Sequence, residues 1–344
     1  MKQWYSFKPS DTLFFRGASS AQMGEDHSSI SVFPPPSSTI IGALRTAVLV
    51  QNDIGFKSYG ENNDKIPQNI YDSIGRAGED APFSLTGPFF RYKGVIFVPS
   101  PYSWYIDKGD SDNLKQKIFK LQKVKNKLLG NESKYWVKGE KSEISSIGGK
   151  WISLKALLGN KKECFYLKND DNLKYNEDKV FYVKDKNKLE IDKNNLIVET
   201  SFFYKNEIRT GISLQENRRV HDGHLYSFTH ARLKEDIDII WATDKELPLK
   251  EAGILKLGAE QRFGYYKKID NVNIGENSIN KSMFMSLSLT KGDEKSNKNI
   301  ISTGKIKYIG GWDMKKRFHK PMMGYFPAGS VFSKKLNDNF ISIN

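Results

Sequence analysis

The segment Phe33-Pro34-Pro35-Pro36-Ser37-Ser38-Thr39 restricts its surroundings more than any other part of the chain. Proline has no backbone N–H and cannot continue a central strand. Serine or threonine just beyond the prolines can cap a helix. Ile40, Ile41, Ala43, Leu44, Ala47 and Val48 then recur at helical spacing through residue 50, so a helix is predicted there. Gly42 inside it costs about 1 kcal/mol against alanine, which suggests a close backbone approach. Residues 2–8, with Trp4, Tyr5 and Phe7, read as a first strand. Residues 67–76 suit a short helix. Phe83–Tyr92 and Gly94–Val98 read as a hairpin turning at Lys93-Gly94. Strand, helix, strand, strand is how a ferredoxin-like βαββαβ unit begins.

The second constraining stretch is Leu257-Gly258-Ala259-Glu260-Gln261-Arg262-Phe263-Gly264-Tyr265-Tyr266-Lys267-Lys268. Gly258 and Gly264 bracket a short polar turn. Glycine lets a backbone approach a bulky partner and reach φ > 0, and consecutive amides in such a turn can form an anion nest. Arg262, Lys267 and Lys268 supply cations, and the aromatics supply stacking faces for bases. The plain reading stays open beside this one: a tight turn between two strands with a solvated basic rim.

A chain of 344 residues makes one large or two ordinary domains. At 38% hydrophobic residues a packed core is expected. The formal charge of +14 favours nucleic acid or an acidic surface as partner. Cys164 is the single cysteine, so neither a disulfide nor a cysteine metal site can form within the chain. The N-terminus lacks a signal-peptide pattern and no apolar run reaches about 18 residues, so a cytoplasmic location is expected.

Along the rest of the chain, residues 107–145 are lysine-rich. Leu114, Ile118, Leu121, Val124 and Leu128 recur at roughly helical steps, either as an RNA-facing helix or as a solvated basic face. A short helix is expected after Trp151. Residues 161–200 alternate lysines with β-formers and read as hairpins. Arg209-Thr210-Gly211, Arg218-Arg219 and the strand around Phe228 follow, then a strand from Asp236 and another from Met283. Residues 291–299 read as a charged loop. The cluster Lys315-Lys316-Arg317-Phe318-His319-Lys320 is either a phosphate grip or a solubilising patch.

The five histidines are His27, His221, His224, His230 and His319. His221-Asp222-Gly223-His224 lacks the accompanying ligands of a metal site. His27 could serve as a general base in metal-independent RNA cleavage. No P-loop, nucleophile elbow or catalytic Cys–His context is present. No cofactor, metal or catalytic residue is therefore expected. Binding residues are better supplied: Arg16, Arg45, Arg91, Arg209, Arg218, Arg219 and Arg262 lie beside glycines or aromatics. Arg45, one turn after Ile41, could instead pair at the edge of the core.

Several stretches together resemble one family: Asp11-Thr12-Leu13-Phe14-Phe15-Arg16, the segment from Phe33 to Thr46, Arg209-Thr210-Gly211-Ile212, Gly223-His224-Leu225-Tyr226 and Pro327-Ala328-Gly329-Ser330. The chain resembles the RAMP-superfamily subunit of the type III-B CRISPR (Cmr) effector complex that sits at the 5′ end of the guide RNA. One departure is Ala259 after Gly258, where the superfamily loop often has adjacent glycines. The resemblance implies an α+β fold of two ferredoxin-like (RRM-like) modules with inserted loops and hairpins, over residues 1–200 and 201–344. It implies a non-catalytic role in antiviral defence: holding the repeat-derived 5′ tag of the CRISPR RNA beside the large polymerase-like subunit and the backbone RAMP subunits. Target RNA would be met indirectly, and a hairpin, here placed at 161–200, would wedge into the guide–target duplex. On this reading Gly258, Arg262, Gly264, Lys267 and Lys268 hold RNA. Arg16, Arg209, Arg218 and Arg219 line the same groove, and the Pro34–Arg45 segment shapes its floor or contacts the partner subunit. The alternative is a metal-independent CRISPR-repeat processing endoribonuclease of the same superfamily, with His27 or His224 as base.

Overall fold

The computed structural model describes residues 2–17, 28–108, 114–125, 133–140, 143–176, 179–184, 187–214, 219–275, 283–313, 315–316 and 318–343. Strands dominate and helices are few, so the fold is α+β, as expected. Two compact units interleave along the chain. The first takes Met1–Pro88, Phe203–Val272 and Tyr308–Gly324; the second takes Phe89–Phe202, Asn273–Lys307 and Tyr325–Asn344. Among the described residues no helix is long and apolar enough to cross a membrane.

In the first unit the strand Gln3–Pro9 pairs antiparallel with Ile237–Thr243 on one side and Phe263–Ile269 on the other. Ala252–Lys256 adds antiparallel to Phe263–Ile269 and ends the sheet. Residues opposite one another share a face. Tyr5 lies opposite Trp241 and Phe7 opposite Tyr266, and all four are fully buried. The Tyr5 and Trp241 rings stack with centroids 6.4 Å apart.

The helix predicted from the proline segment runs Ser37–Gln51 and buries Ile40, Ala43, Leu44, Ala47, Val48 and Leu49. Full burial of a leucine-sized side chain contributes about 1.5–3 kcal/mol, so this stripe holds the helix. Gln51 at its end donates Nε2 to the Tyr266 hydroxyl at 2.8 Å. Two expectations fail here. No serine or threonine caps the helix: Pro36 occupies the cap position, and the Ser37 hydroxyl donates to the Gly87 carbonyl at 2.9 Å. Nothing approaches within 4 Å of a Cβ built at Gly42, so no close contact requires that glycine.

Tyr204–Leu214 and Val220–Leu233 form a long antiparallel hairpin of 11 and 14 residues. Ser28–Ile30 runs parallel to its second strand. The hydrogen-bonded strands Lys307–Asp313 and Phe318–Phe326 carry the Tyr308–Gly324 part of this unit.

The second unit holds the strands Val95–Pro99, Trp151–Ser153, Leu196–Val198, Glu163–Leu167 and Lys115–Lys117, paired in that order. Lys93 and Gly94, with φ of 44° and 80°, make the predicted turn before Val95. Leu173–Asn176, Lys179–Lys184 and Asn187–Ile191 form hairpins within the expected stretch, but Glu163–Leu167 pairs with Leu196–Val198 and Lys115–Lys117 instead of joining them. Phe326, Phe332 and Phe340 form a local core. Among the described residues of the lysine-rich segment there is no helix; it holds the strands Lys115–Lys117, Phe119–Lys120, Gln122–Lys125, Ser133–Trp136 and the start of Ile144–Ser146. Gln116 is buried between exposed Lys115 and Lys117, a period of two that the apolar spacing concealed. Residues 294–299, read as loop, form a helix that Asp293 and Ser296 cap reciprocally.

Candidate nucleic-acid interface

Leu257–Arg262 joins the strands Ala252–Lys256 and Phe263–Ile269 as a hairpin turn. The Leu257 N–H donates to the Arg262 carbonyl at 2.9 Å, and the Arg262 N–H to the Ala259 carbonyl at 3.2 Å. Glu260 and Gln261 both have φ of 55°. At Gly258 φ is +106°, and a Cβ would lie 2.8 Å from the Phe14 carbonyl oxygen. The Ala259 N–H donates to that carbonyl at 2.8 Å. Gly258 therefore admits the chain's own backbone at Phe14, a role for which only glycine is unstrained. The contact fixes the turn beside the Phe14–Arg16 segment.

Where that segment ends, a groove of about 720 Å³ opens. One wall is Arg16 with Thr39, Ala43 and Thr46 of the Ser37–Gln51 helix; another is Lys256, Gly258 and Ala259. The Tyr308–Gly311 stretch and His319–Lys320 complete it. Gly310 and Gly311 keep that side low, and the Tyr308 ring stands 65% exposed. Arg16, Lys256 and Lys320 bring three permanent charges, His319 brings an imidazole, and among the described residues no carboxylate lines the groove. Cations gathered around one concavity make a field that concentrates anions. A groove of this size accepts a group as large as a nucleotide.

Beside it in sequence, Asp11 gathers three arginines. Arg209 Nη2 lies 2.9 Å from Asp11 Oδ2, Arg232 Nη2 2.9 Å from Oδ1, and Arg262 Nη1 3.1 Å from Oδ2. Glu207 bonds Arg209 at 2.8 Å and also pairs with Arg232, while Glu260 takes Arg262 Nη2 at 3.3 Å. The three guanidiniums thus face three carboxylates. The cluster ties the base of the long hairpin to the Gly258 turn. Burial pushes the Asp11 carboxyl up, but hydrogen bonds from Arg209 and Arg232 outweigh it and hold the group at about 2. Burial, then the charge of Arg262, keeps His230 below its ordinary value. Its Nδ1 shares a proton with the Thr12 hydroxyl at 3.0 Å, and its ring stacks on Phe14.

A carboxyl depressed in the folded state stabilises the fold above its unfolded value. For Asp11 that contribution is complete above 3.8 and is lost as pH falls toward 2. Because Asp11 is 41% exposed, its size is under about 1 kcal/mol. Asp11→Asn should therefore flatten the pH dependence of the urea midpoint across this window, and an unchanged slope would contradict the pairing.

The expected site residues fall into separate settings. Arg16 and Gly258 line the groove. Arg209 and Arg262 meet at Asp11. Arg45 donates to the carbonyls of Glu79 and Arg76 at 3.0 and 2.7 Å and to the Tyr59 hydroxyl; it spans the loop behind its helix and meets no carboxylate there. Gly264 is buried between strands. A Cβ there would lie 2.4 Å from the Lys8 carbonyl oxygen and 2.6 Å from Pro9 Cα. Lys268 pairs with Glu246 and Glu251, each at 3.1 Å, and Lys267 is exposed on the opposite face. Arg219 is exposed where the strand Val220–Leu233 begins. Arg218, His27 and the side chains of His221 and His224 lie outside the described residues. The sequence reading missed Lys256 and Tyr308; the pair Gly310-Gly311 so close to Tyr308 was the available signal.

A family model described as "CRISPR-associated protein (Cas_Cmr3)" matches residues 5–284. No curated protein matched the sequence. A chain in the cryo-EM structure of the type III-B Cmr-beta bound to cognate target RNA and AMPPnP shares the fold. Its TM-score is 0.52 at 17% identity, over 96% of this chain and 85% of that one. A chain in the same complex bound to cognate target RNA gives 0.51 at 16% identity, over 96% and 86%. The chain belongs to the Cas_Cmr3 family of CRISPR-associated proteins.

Proposed function

We propose that this chain is a non-catalytic RNA-holding subunit of the type III-B Cmr complex and that its groove grips the 5′ tag of the CRISPR RNA. The observation that carries the reading is the groove's lining: Arg16, Lys256, His319 and Lys320 around an exposed Tyr308, with no carboxylate among the described lining residues. Unpaired RNA is recognised by such combinations of cations, backbone loops and stacking faces. The Gly258 turn shapes the groove, and the Asp11 cluster holds that turn rigid. Arg209 and Arg262 act through this rigidity.

The first unit is read as a ferredoxin-like (RRM-like) module. Its strands Phe263–Ile269, Gln3–Pro9 and Ile237–Thr243, and the strand Leu85–Tyr92 whose first half it holds, lie in that order, which is 4-1-3-2 in a βαββαβ unit. The strand Ala252–Lys256 occupies the return leg that a second helix would take. The long hairpin Tyr204–Leu233, exposing Ile208 and Ile212 on one face, replaces the 161–200 hairpins as the element that would wedge at the guide–target duplex. Exposed Ile254 on the edge strand, with Phe263 and Tyr265 on the strand beside it, is apolar surface of the kind a partner subunit covers. The large polymerase-like subunit is the partner proposed, in a cytoplasmic complex.

The test is tag-RNA binding by the full chain across a salt series, without added metal. Three permanent cations at about 0.7 each give a log–log slope of about −2, with the RNA recovered intact. A specific cut in repeat RNA would overturn the reading in favour of a processing nuclease.

A further inference from the structure

The second unit carries its own basic groove, of about 630 Å³, which the tag-binding reading does not use. It is bounded by the Lys117–Val124 run, the Trp136–Lys138 segment and the turn at Asn160–Lys162. Lys117, Lys120, Lys123, Lys138 and Lys162 line it, and among the described residues no aspartate or glutamate does. Trp136 stands at its side 68% exposed, and Val124 41%. In the Gln122–Lys125/Ser133–Trp136 hairpin, Trp136 lies opposite Gln122, so Trp136, Gln122 and Val124 share one face.

Two costs coexist here. Five ammonium groups repel one another around one concavity, and an indole face lies in water. Lys117 has an exposed partner in Glu140, a pair worth little. Lys120 is different: its Nζ sits 4.1 Å over the Trp104 ring and donates to the Asn160 carbonyl at 3.3 Å. Burial pulls its ammonium down to about 8, so it still carries its charge at neutral pH, and an arriving anion would hold it there more firmly. A ligand that relieves both costs is a polyanion bearing flat rings. A protein partner fits less well, because protein interfaces are depleted in lysine, whereas nucleic-acid interfaces are strongly positive. Grooves that hold single strands without sequence preference combine a basic track with an aromatic platform.

We infer that this groove is a second site for single-stranded nucleic acid, with one base stacked on Trp136 and the flanking phosphates over Lys123, Lys138 and Lys162. The strand pairing places Trp136, Lys123 and Lys138 on one short hairpin and its continuation, and the Asn160–Lys162 turn brings Lys162 to the same groove. Binding here is tolerant of sequence, because every base offers a π-face.

The experiment uses the full chain carrying Arg16→Ala and Lys320→Ala, which weakens the first groove, and a fluorescent oligouridylate of about 12 nucleotides, within the usual single-strand site sizes. In that background Trp136→Ala should weaken binding about tenfold, and Trp136→Phe should keep most of it, since stacking survives. Lys123→Gln/Lys138→Gln/Lys162→Gln should reduce the salt slope by about 2. Thermal unfolding should be unchanged in all three, because these side chains are exposed. Unaltered affinity in Trp136→Ala, or polyglutamate competing as well as RNA, would overturn the assignment.

Discussion

Gly264→Ala should leave the first unit unable to fold. A Cβ at this position would lie 2.4 Å from the Lys8 carbonyl oxygen, 2.6 Å from Pro9 Cα and 2.6 Å from the Phe7 ring. Two of those atoms are backbone, so no rotamer change relieves the contact. The strand Phe263–Ile269 would have to leave Gln3–Pro9, the pairing that joins the two outermost strands to the rest of the sheet. Overpacking of this severity costs upward of about 3 kcal/mol, against a total stability of roughly 5–15 kcal/mol. Gly42→Ala is the internal control. Nothing lies within 4 Å of that position, and alanine is the better helix former by about 1 kcal/mol, so this variant should be stabilised. Urea unfolding distinguishes them, and a wild-type midpoint for Gly264→Ala would refute the packing described.

The second large effect is on RNA. Arg16→Glu/Lys256→Glu/Lys320→Glu turns three lining cations into three anions. Loss of their phosphate contacts, compounded by repulsion, should weaken tag-RNA binding on the order of 10³-fold. All three side chains are exposed, so the melting temperature should stay near that of the parent. Retained affinity at physiological salt would remove the groove from the site. A matching fall in melting temperature would instead show that the cations hold the fold.

What the sequence made legible was local. The Ser37–Gln51 helix could be read because its apolar period and the preceding prolines agree. The Lys93-Gly94 turn could be read because its chemistry sits in two adjacent residues. The candidate site was legible only in pieces. Arg16, Gly258 and the His319–Lys320 cluster were noticed, yet the groove joins residues from Phe15 to Met322, and no local pattern encodes such a meeting. Arg209 and Arg262 read as cations for RNA because their partner, Asp11, lies 198 and 251 residues away in the chain. Gly264 read as ligand-facing, whereas its lack of a side chain serves the neighbouring strand. The lysine-rich segment misled for a different reason. Its apolar residues fall at helical steps, but Gln116 takes a buried place between lysines, which a hydrophobicity pattern does not register.

The central claim is that the 5′ tag lies between Arg16, Lys256 and the Tyr308–Lys320 hairpin. The most direct measurement is photo-crosslinking of the reconstituted complex, with 4-thiouridine placed in the tag and the modified peptides mapped by mass spectrometry. The account predicts adducts on peptides holding Phe15–Arg16 and Tyr308–Lys320, lost in the Arg16→Glu/Lys256→Glu/Lys320→Glu variant. Adducts confined to residues 161–200, or to another subunit, would contradict it.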